Sequence, residues 1–343
     1  MTEFFVWAPN AESVTLLHWH QGGDAAEEHP MTGGDDGVWR CETPALSGDH
    51  YLFRVRRGEE SWDRIDPRAR EVTNSVGRGV VPAPAPEHEP FTARPLNEWV
   101  IYELHAGTFG GDLAGSVDHL DELAALGVTT VELMPVAEFA GDQSWGYNPA
   151  MPFAVESSYG GPQALHHFVD ACHQRGLAVV LDVVYNHLGP SDLDVWRFDG
   201  WGEGDGGGIY FYNDWRAATP WGATRPDYGR AEVRGFLLDN ARMWLGEYAL
   251  DGLRFDSTVN IRNAHGHGGP DGDLPDGWAF LQEVTDTLHH EFPGCVLIAE
   301  DMQGDPLVTA STAEDGLGFD AQWDAQFVHV VRAALTETHD ESR

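Results

Sequence analysis

Residues 177–184 read LAVVLDVV, an almost unbroken apolar run whose one charge is Asp182. A strand with one wet face alternates apolar and polar side chains. This one does not, which is the pattern of a strand covered on both faces in a parallel sheet. A helical pattern from Pro162 to Arg175 precedes it and stops at Gly176. Further out, WVIYEL (99–104) and VTTVELM (128–134) read as strands upstream, with a helix over 113–126 between them. Downstream come a helix over 231–248, DGLRFD (251–256), a helix over 278–291, CVLIAE (295–300), GFDAQW (318–323) and a helix over 326–335. Strand–helix alternation of this kind predicts an α/β fold with a parallel sheet. Periodicity alone does not choose between an open sheet and a closed barrel.

The preceding residues follow a different rule. FFVWA, SVTLLHW, GVWRCE and HYLFRVR are short strands separated by glycine-rich turns, so residues 1–81 read as a small β-sandwich. Residues 82–98 take in all but the first residue of VPAPAPEHEPFTARP (81–95), whose prolines suit an extended linker. Residues 99–343 form the second domain. Its connection over 188–230 is far longer than an ordinary loop and is expected to be functional or mobile. Trp196, Trp201, Tyr210, Tyr212, Trp215 and Trp221 interleave with its glycines. They read in part as a ligand surface, because the C–H faces of sugar rings pack on aromatic rings.

Of the 343 residues 56 are acidic and 20 basic, all of these arginine, giving a net charge of −36. Long-range repulsion on that scale argues against nucleic acid and against an anionic membrane surface. Together with the absence of lysine it suits a salt-rich cytoplasm, where screening tames self-repulsion. Cys41, Cys172 and Cys295 are odd in number and widely spaced, which predicts reduced, structural thiols. MTEFFVWAPN lacks a basic leader, and no apolar run is long enough to span a bilayer, so a cytoplasmic location is expected. A dinucleotide-binding oxidoreductase finds no GxGxxG between a strand and a helix.

Polar residues gather at the carboxyl ends of three of the predicted strands: Asp182 with Asn186 and His187, Arg254 with Asp256, and Glu300 with Asp301. Ligands of parallel α/β sheets bind over those ends. If Asp256 and Glu300 face one cleft, they are the two carboxyl groups that glycosidic cleavage needs, one to protonate the leaving oxygen and one to attack or steady the anomeric carbon. Arg254 shares a strand face with Asp256 and is expected to keep it ionised, leaving a less paired Glu300 to hold its proton.

DVVYNH (182–187), GLRFDS (252–257) and LIAED (297–301), with LMPVAEF (133–139), WGYNP (145–149) and SYGGP (158–162), resemble the conserved regions of the α-amylase superfamily in order and placement. The likeness covers almost the whole chain, since VWAPNA and HPM…GVW resemble the β-sandwich that precedes the barrel in branching enzymes and trehalohydrolases. It implies an immunoglobulin-like β-sandwich followed by a (β/α)8 TIM-type barrel, an α-glucan or maltooligosaccharide substrate, no cofactor and no metal. Residue by residue it implies Asp256 as the nucleophile and Glu300 as the acid/base. Arg254, Asp182, Asn186, His187, Tyr147 and Asp301 are implied as substrate-site residues, with Tyr147 stacking under the sugar at the cleavage point. Three kinds of activity fit: first a 1,4-α-glucan branching enzyme, next a maltooligosyltrehalose trehalohydrolase or other α-amylase-type hydrolase, and, from another class, a glucan-binding protein without turnover. Six strands are countable where the family's barrel has eight, so the barrel is expected to be incomplete within these residues. His339–Asp340 lies in a polar tail and reads as a chance match to the family's fourth region.

Overall fold

The computed structural model describes residues 1–267 and 269–337; His339 and Asp340 lie outside the described residues. Strands β1 (Thr2–Trp7), β2 (Ser13–Trp19), β3 (Glu27–Pro30), β4 (Val38–Thr43), β5 (His50–Arg57) and β6 (Glu60–Arg64) build two antiparallel sheets. In one, β1 pairs with β4; in the other, β2 lies between β3 and β5, and β6 returns along β5. Alternation decides what faces inward. Phe4 and Val6, Val14 and Leu16, and Tyr51, Phe53 and Val55 meet between the sheets, burying apolar area worth roughly 25 cal/mol per Å².

The second sheet has six parallel strands in sequence order: β7 (Ile101–Leu104), β8 (Thr130–Leu133), β9 (Ala178–Val183), β10 (Gly252–Phe255), β11 (Val296–Ala299) and β12 (Ala321–Gln322). Every residue of β8, β9, β10 and β11 is buried, as the apolar run at 177–184 requires. Helices α1 (Leu120–Leu126), α2 (Gly161–His173), α3 (Ala231–Gly246) and α4 (Pro275–Glu291) fall in the connections, and α5 (Ala325–Thr336) follows β12. This is a half-barrel with two open edges. At one, Ile101 and Tyr102 of β7 are exposed; at the other, α5 buries none of its residues, and Phe327, Val328, Val330 and Leu335 face solvent. No helix among the described residues is long and apolar enough to cross a membrane.

Two local expectations change, and one element is added. The helix over 113–126 is two pieces, Leu113–Val117 and Leu120–Leu126. The strand expected over 318–323 shrinks to Ala321–Gln322. A hairpin of Ala137–Phe139 against Pro149–Val155, irregular in register, occupies the β8–α2 connection. The connection over 188–230 is packed rather than loose. Asp194 accepts from the Ile65 backbone N–H at 2.7 Å, Asp192 from the Ser75 hydroxyl at 2.9 Å, and Asp199 from the Asn10 side chain at 2.9 Å, tying the connection to the sandwich. Gly200 shows why glycine recurs here: its φ is +76°, and a Cβ would sit 2.3 Å from the Trp62 ring. Of the aromatics read as a ligand surface, Tyr210 and Tyr212 are buried, Trp196 and Trp201 pack on the core, and Trp215 and Trp221 are exposed.

The proline-rich strap is pinned as well. His88 sits 2.6 Å from Asp170 and 3.0 Å from His166 on α2, and Phe91 stacks on His173 at 4.1 Å.

Candidate active site

Register puts Asp182 of β9 beside Arg254 of β10, and Arg254 beside Ile298 of β11. Paired residues of parallel strands point to the same face, and positions two further along do so again. Asp256 and Glu300, each two residues beyond a paired position, therefore emerge together at the carboxyl end of the sheet. The chain turns sharply there: Ser257 adopts φ 40° and ψ 57°, a left-handed conformation costly for a residue with a Cβ.

Arg254 is the hub. Its Nη1 donates to both oxygens of Asp182, at 2.8 and 2.7 Å, and to Asp256 Oδ1 at 3.1 Å; its Nη2 lies 3.0 Å from Glu300 Oε2. Because both nitrogens belong to one planar guanidinium, the Asp256 and Glu300 oxygens that it binds lie within about 8.5 Å of each other. Each carboxylate has a second anchor. Asn186 Nδ2 donates to Asp256 Oδ2 at 2.7 Å, the Ser257 backbone N–H donates to Glu300 Oε2 at 2.9 Å, and the Tyr147 hydroxyl donates to Asp182 Oδ2 at 2.6 Å. The indole of Trp323 lies 4.6 Å from the Arg254 guanidinium.

One cation among several carboxylates leaves charge uncompensated, and the titration of the group reflects it. Burial raises Asp256 to about 6; Arg254 pulls back and the neighbouring Glu300 pushes further. Burial likewise drives Asp182 upward against the pull of Arg254. Glu132 on β8, buried with Oε1 lacking a partner, rises to about 7, mainly by desolvation. Glu103, Glu132 and Asp182 each bring an oxygen within 4.8 Å of the others, a possible metal cluster by distance alone. Both Asp182 oxygens are already bonded to Arg254, so the guanidinium is the cation of this group.

With that geometry in place the relatives are informative. Residues 1–69 match carbohydrate-binding module 48, the isoamylase N-terminal domain, and residues 67–197 match the α-amylase catalytic domain. The chain belongs to the α-amylase family. Malto-oligosyltrehalose trehalohydrolase of Arthrobacter ramosus is 38% identical over 342 residues, covering 97% of this chain and 56% of that protein. The 1,4-α-glucan branching enzyme of Methylococcus capsulatus is 33% identical, covering 95% and 48%. That of Leifsonia xyli is 35% identical, covering 96% and 47%. Among solved structures, a putative α-amylase from Salmonella typhimurium superposes with a TM-score of 0.74 at 28% identity, covering 96% of this chain and 53% of that one. The chain spans about half the length of the curated relatives it matches.

Membership in the α-amylase family sharpens the reading of the individual residues. Asp256, Glu300, Arg254 and Tyr147 converge as expected, but Arg254 reaches Glu300 as closely as Asp256, so Glu300 is not the less paired of the two. The other expected substrate contacts are spoken for. Asp182 has no exposed side-chain surface and spends its oxygens on Arg254 and Tyr147. Asn186 is buried between Asp256 and His187. His187 has Nδ1 against Asn186 Oδ1 and Nε2 2.9 Å from the Tyr147 carbonyl, and burial lowers it to about 4, so the neutral ring donates its single N–H to one of these two acceptors. Asp301 is fully buried and bonded to Arg262 Nε and Nη2 at 2.9 and 2.8 Å. It is removed from the set of sugar contacts because no oxygen faces the cleft. Ser257, Trp323 and Glu132 were missed as site residues. GLRFDS and VTTVELM contain Ser257 and Glu132, yet only the left-handed turn and the inward face of β8 reveal what they touch.

Proposed function

We propose that these residues form the catalytic half of a retaining α-glucan-active enzyme that cleaves α-1,4-glucosidic bonds through a β-glycosyl ester on Asp256. What carries the reading is the grip of one guanidinium on both Asp256 and Glu300. Asp256, its lone pairs aligned by Arg254 and Asn186, attacks the anomeric carbon while Glu300 gives its proton to the departing glycosidic oxygen. The bond to the leaving sugar breaks as the ester forms. Glu300, now ionised, takes the proton of the acceptor hydroxyl, which attacks the same carbon and releases Asp256. Asp182 supports the site by fixing Arg254, and Tyr147 lies against Asp182 at the floor.

Residues 1–81 act in this reading as a glucan-associated module, 82–98 as its strap, and 99–343 as an incomplete (β/α)8 barrel of six strands. The exposed edge of β7 and the apolar surface of α5 are the two open edges of that sheet. The lead activity is 1,4-α-glucan branching, with the 6-hydroxyl of a second chain as acceptor. The 38% identity to a trehalohydrolase favours a second reading, in which water is the acceptor.

The test is to incubate the Glu300→Gln variant with α-maltosyl fluoride, whose leaving group needs no proton. An ester should accumulate on the peptide carrying Asp256 and be seen by mass spectrometry. No adduct, or an adduct elsewhere, sinks the assignment. Amylose whose iodine stain shifts without new reducing ends supports branching; release of trehalose from maltooligosyltrehalose supports the second reading.

A further inference from the structure

A second cluster of chemistry-bearing side chains sits on the sandwich, apart from the strand ends of the parallel sheet. Strands β2 and β3 pair with His18 opposite Glu27 and Leu16 opposite His29. Residues two apart on a strand share a face, so His18, His20, Glu27 and His29 stand together. The His18 ring centre lies 4.5 Å from that of His20 and 5.9 Å from that of His29. One ligand atom each from His18, Glu27 and His29 fits within 4.8 Å.

The polar bonding of the cluster is incomplete in a telling way. His18 is fully buried; its Nε2 lies 2.8 Å from Asp49 Oδ2, and its Nδ1 has no partner. His29 Nε2 is buried and equally unpartnered, 3.6 Å from Glu27 Oε2. Asp49 is held in place by the backbone N–H groups of Gln21 and Leu46 at 2.9 and 3.0 Å. A carboxylate on one imidazole nitrogen fixes the tautomer and leaves the other nitrogen with a lone pair, the arrangement found behind metal-bound histidines. Unpartnered buried imidazole nitrogens otherwise cost the fold free energy.

We propose that His18, Glu27 and His29 form a binding site for a zinc-class divalent transition metal, with Asp49 as the carboxylate that orients His18. Two imidazoles and one carboxylate suit Zn2+ and leave a fourth position. His20, whose Nε2 is 3.4 Å from Glu27 Oε1, stands beside that position. The ion staples β3, an edge strand, to β2 across the turn at residues 20–26.

The experiment strips the full chain of metal and titrates it with ZnCl2 against a chromophoric chelator, and in parallel with CoCl2, reading visible d–d absorption. The expected result is one Zn2+ per chain with a Kd of about 1 μM or tighter, together with a four-coordinate Co2+ spectrum. His29→Ala and Glu27→Gln change side chains that are partly exposed, and circular dichroism checks their folding. Each should weaken binding at least ~10-fold, and Asp49→Asn by about 10- to 100-fold. Zn2+ should raise the Tm of the unmodified chain and leave that of His29→Ala unmoved. Binding weaker than ~100 μM, binding that His29→Ala leaves unchanged, or an equal Tm shift in both proteins overturns the proposal.

Discussion

Around Arg262, a buried cation meets a carboxylate that belongs to it: both Asp301 oxygens accept from the guanidinium, and Asp305 adds a weaker contact at 3.6 Å. Around Arg254, one cation is divided among Asp182, Asp256 and Glu300, with Glu132 close enough to feel it. The two arginines lie near the same end of the same sheet, and Glu300 and Asp301 are consecutive residues. A satisfied pair is a structural device, because its charges are spent on each other. A crowded group holds carboxyl groups near the point of gaining or losing a proton, which is the condition for acid–base work and a cost to stability. The difference teaches that function is to be sought where charge balance fails.

The largest expected effect follows from the crowded side. Asp256→Asn keeps the shape and removes the nucleophile, so turnover should fall by at least about 10⁴-fold, or roughly 5 kcal/mol of barrier, while thermal stability holds or rises. In the unmodified protein Asp256 must be ionised to attack. With its carboxyl raised to about 6, kcat/KM should decline as pH drops through 6, by about tenfold for each further unit. A variant that keeps a tenth of the activity, or an acid limb near 4, breaks the contrast.

On the satisfied side the same kind of change should cost stability instead. Arg262→Met strands a fully buried Asp301 and should lower unfolding free energy by about 3–5 kcal/mol in urea titrations. A loss under about 1 kcal/mol, the worth of an exposed ion pair, would mean that the buried Asp301 carboxylate does not depend on Arg262.

Glu132→Gln sharpens the comparison from inside the crowded group. Its folded carboxyl titrates at about 7, against an ordinary value of 4.5, so the folded state binds this proton more tightly than the unfolded chain does. That stabilising contribution is complete below 4.5 and lost as pH rises through 7. Glutamine is neutral throughout and removes the slope. The variant should therefore be more stable than the parent by about 1–3 kcal/mol at pH 8 and show no gain at pH 5. Equal stability at pH 8 would place the burial cost elsewhere.

Much of this was legible in the sequence, and for a specific reason. Buried parallel strands write continuous apolar runs, so a carboxylate at the end of one stands out, and Asp182, Asp256 and Glu300 were found that way. What the period of two hides is direction once the strand has ended. LIAED places Glu300 and Asp301 together, and only the backbone beyond Ala299 sends one to the cleft and the other to Arg262. Of the two readings of the connection over 188–230, functional or mobile, packing removes the second for a related reason: glycines such as Gly200 serve close approach to the Trp62 ring, and composition does not distinguish that use from flexibility. The hairpin at 137–155 breaks register twice, which erases the alternation that would have announced it.

Ser257 is where the smallest effect and the finest test lie. Its left-handed backbone aims its N–H at Glu300 Oε2, and its hydroxyl accepts from Asn260 Nδ2 at 2.8 Å. Glycine adopts this conformation without strain but also leaves it freely. Ser257→Gly should thus change stability by less than about 1 kcal/mol, relief of strain offsetting the lost hydrogen bond and the added freedom of the unfolded chain. Turnover should nevertheless fall by about three- to tenfold, roughly 1 kcal/mol of barrier, with KM unmoved, because Glu300 loses the fixed donor that aims it. Ser257→Ala retains the Cβ that confines the backbone and loses only the hydroxyl, so it should be less stable by about 1 kcal/mol yet keep kcat. If both variants lose turnover equally, the hydroxyl and not the backbone turn is what serves Glu300, and the strain at this position has another cause.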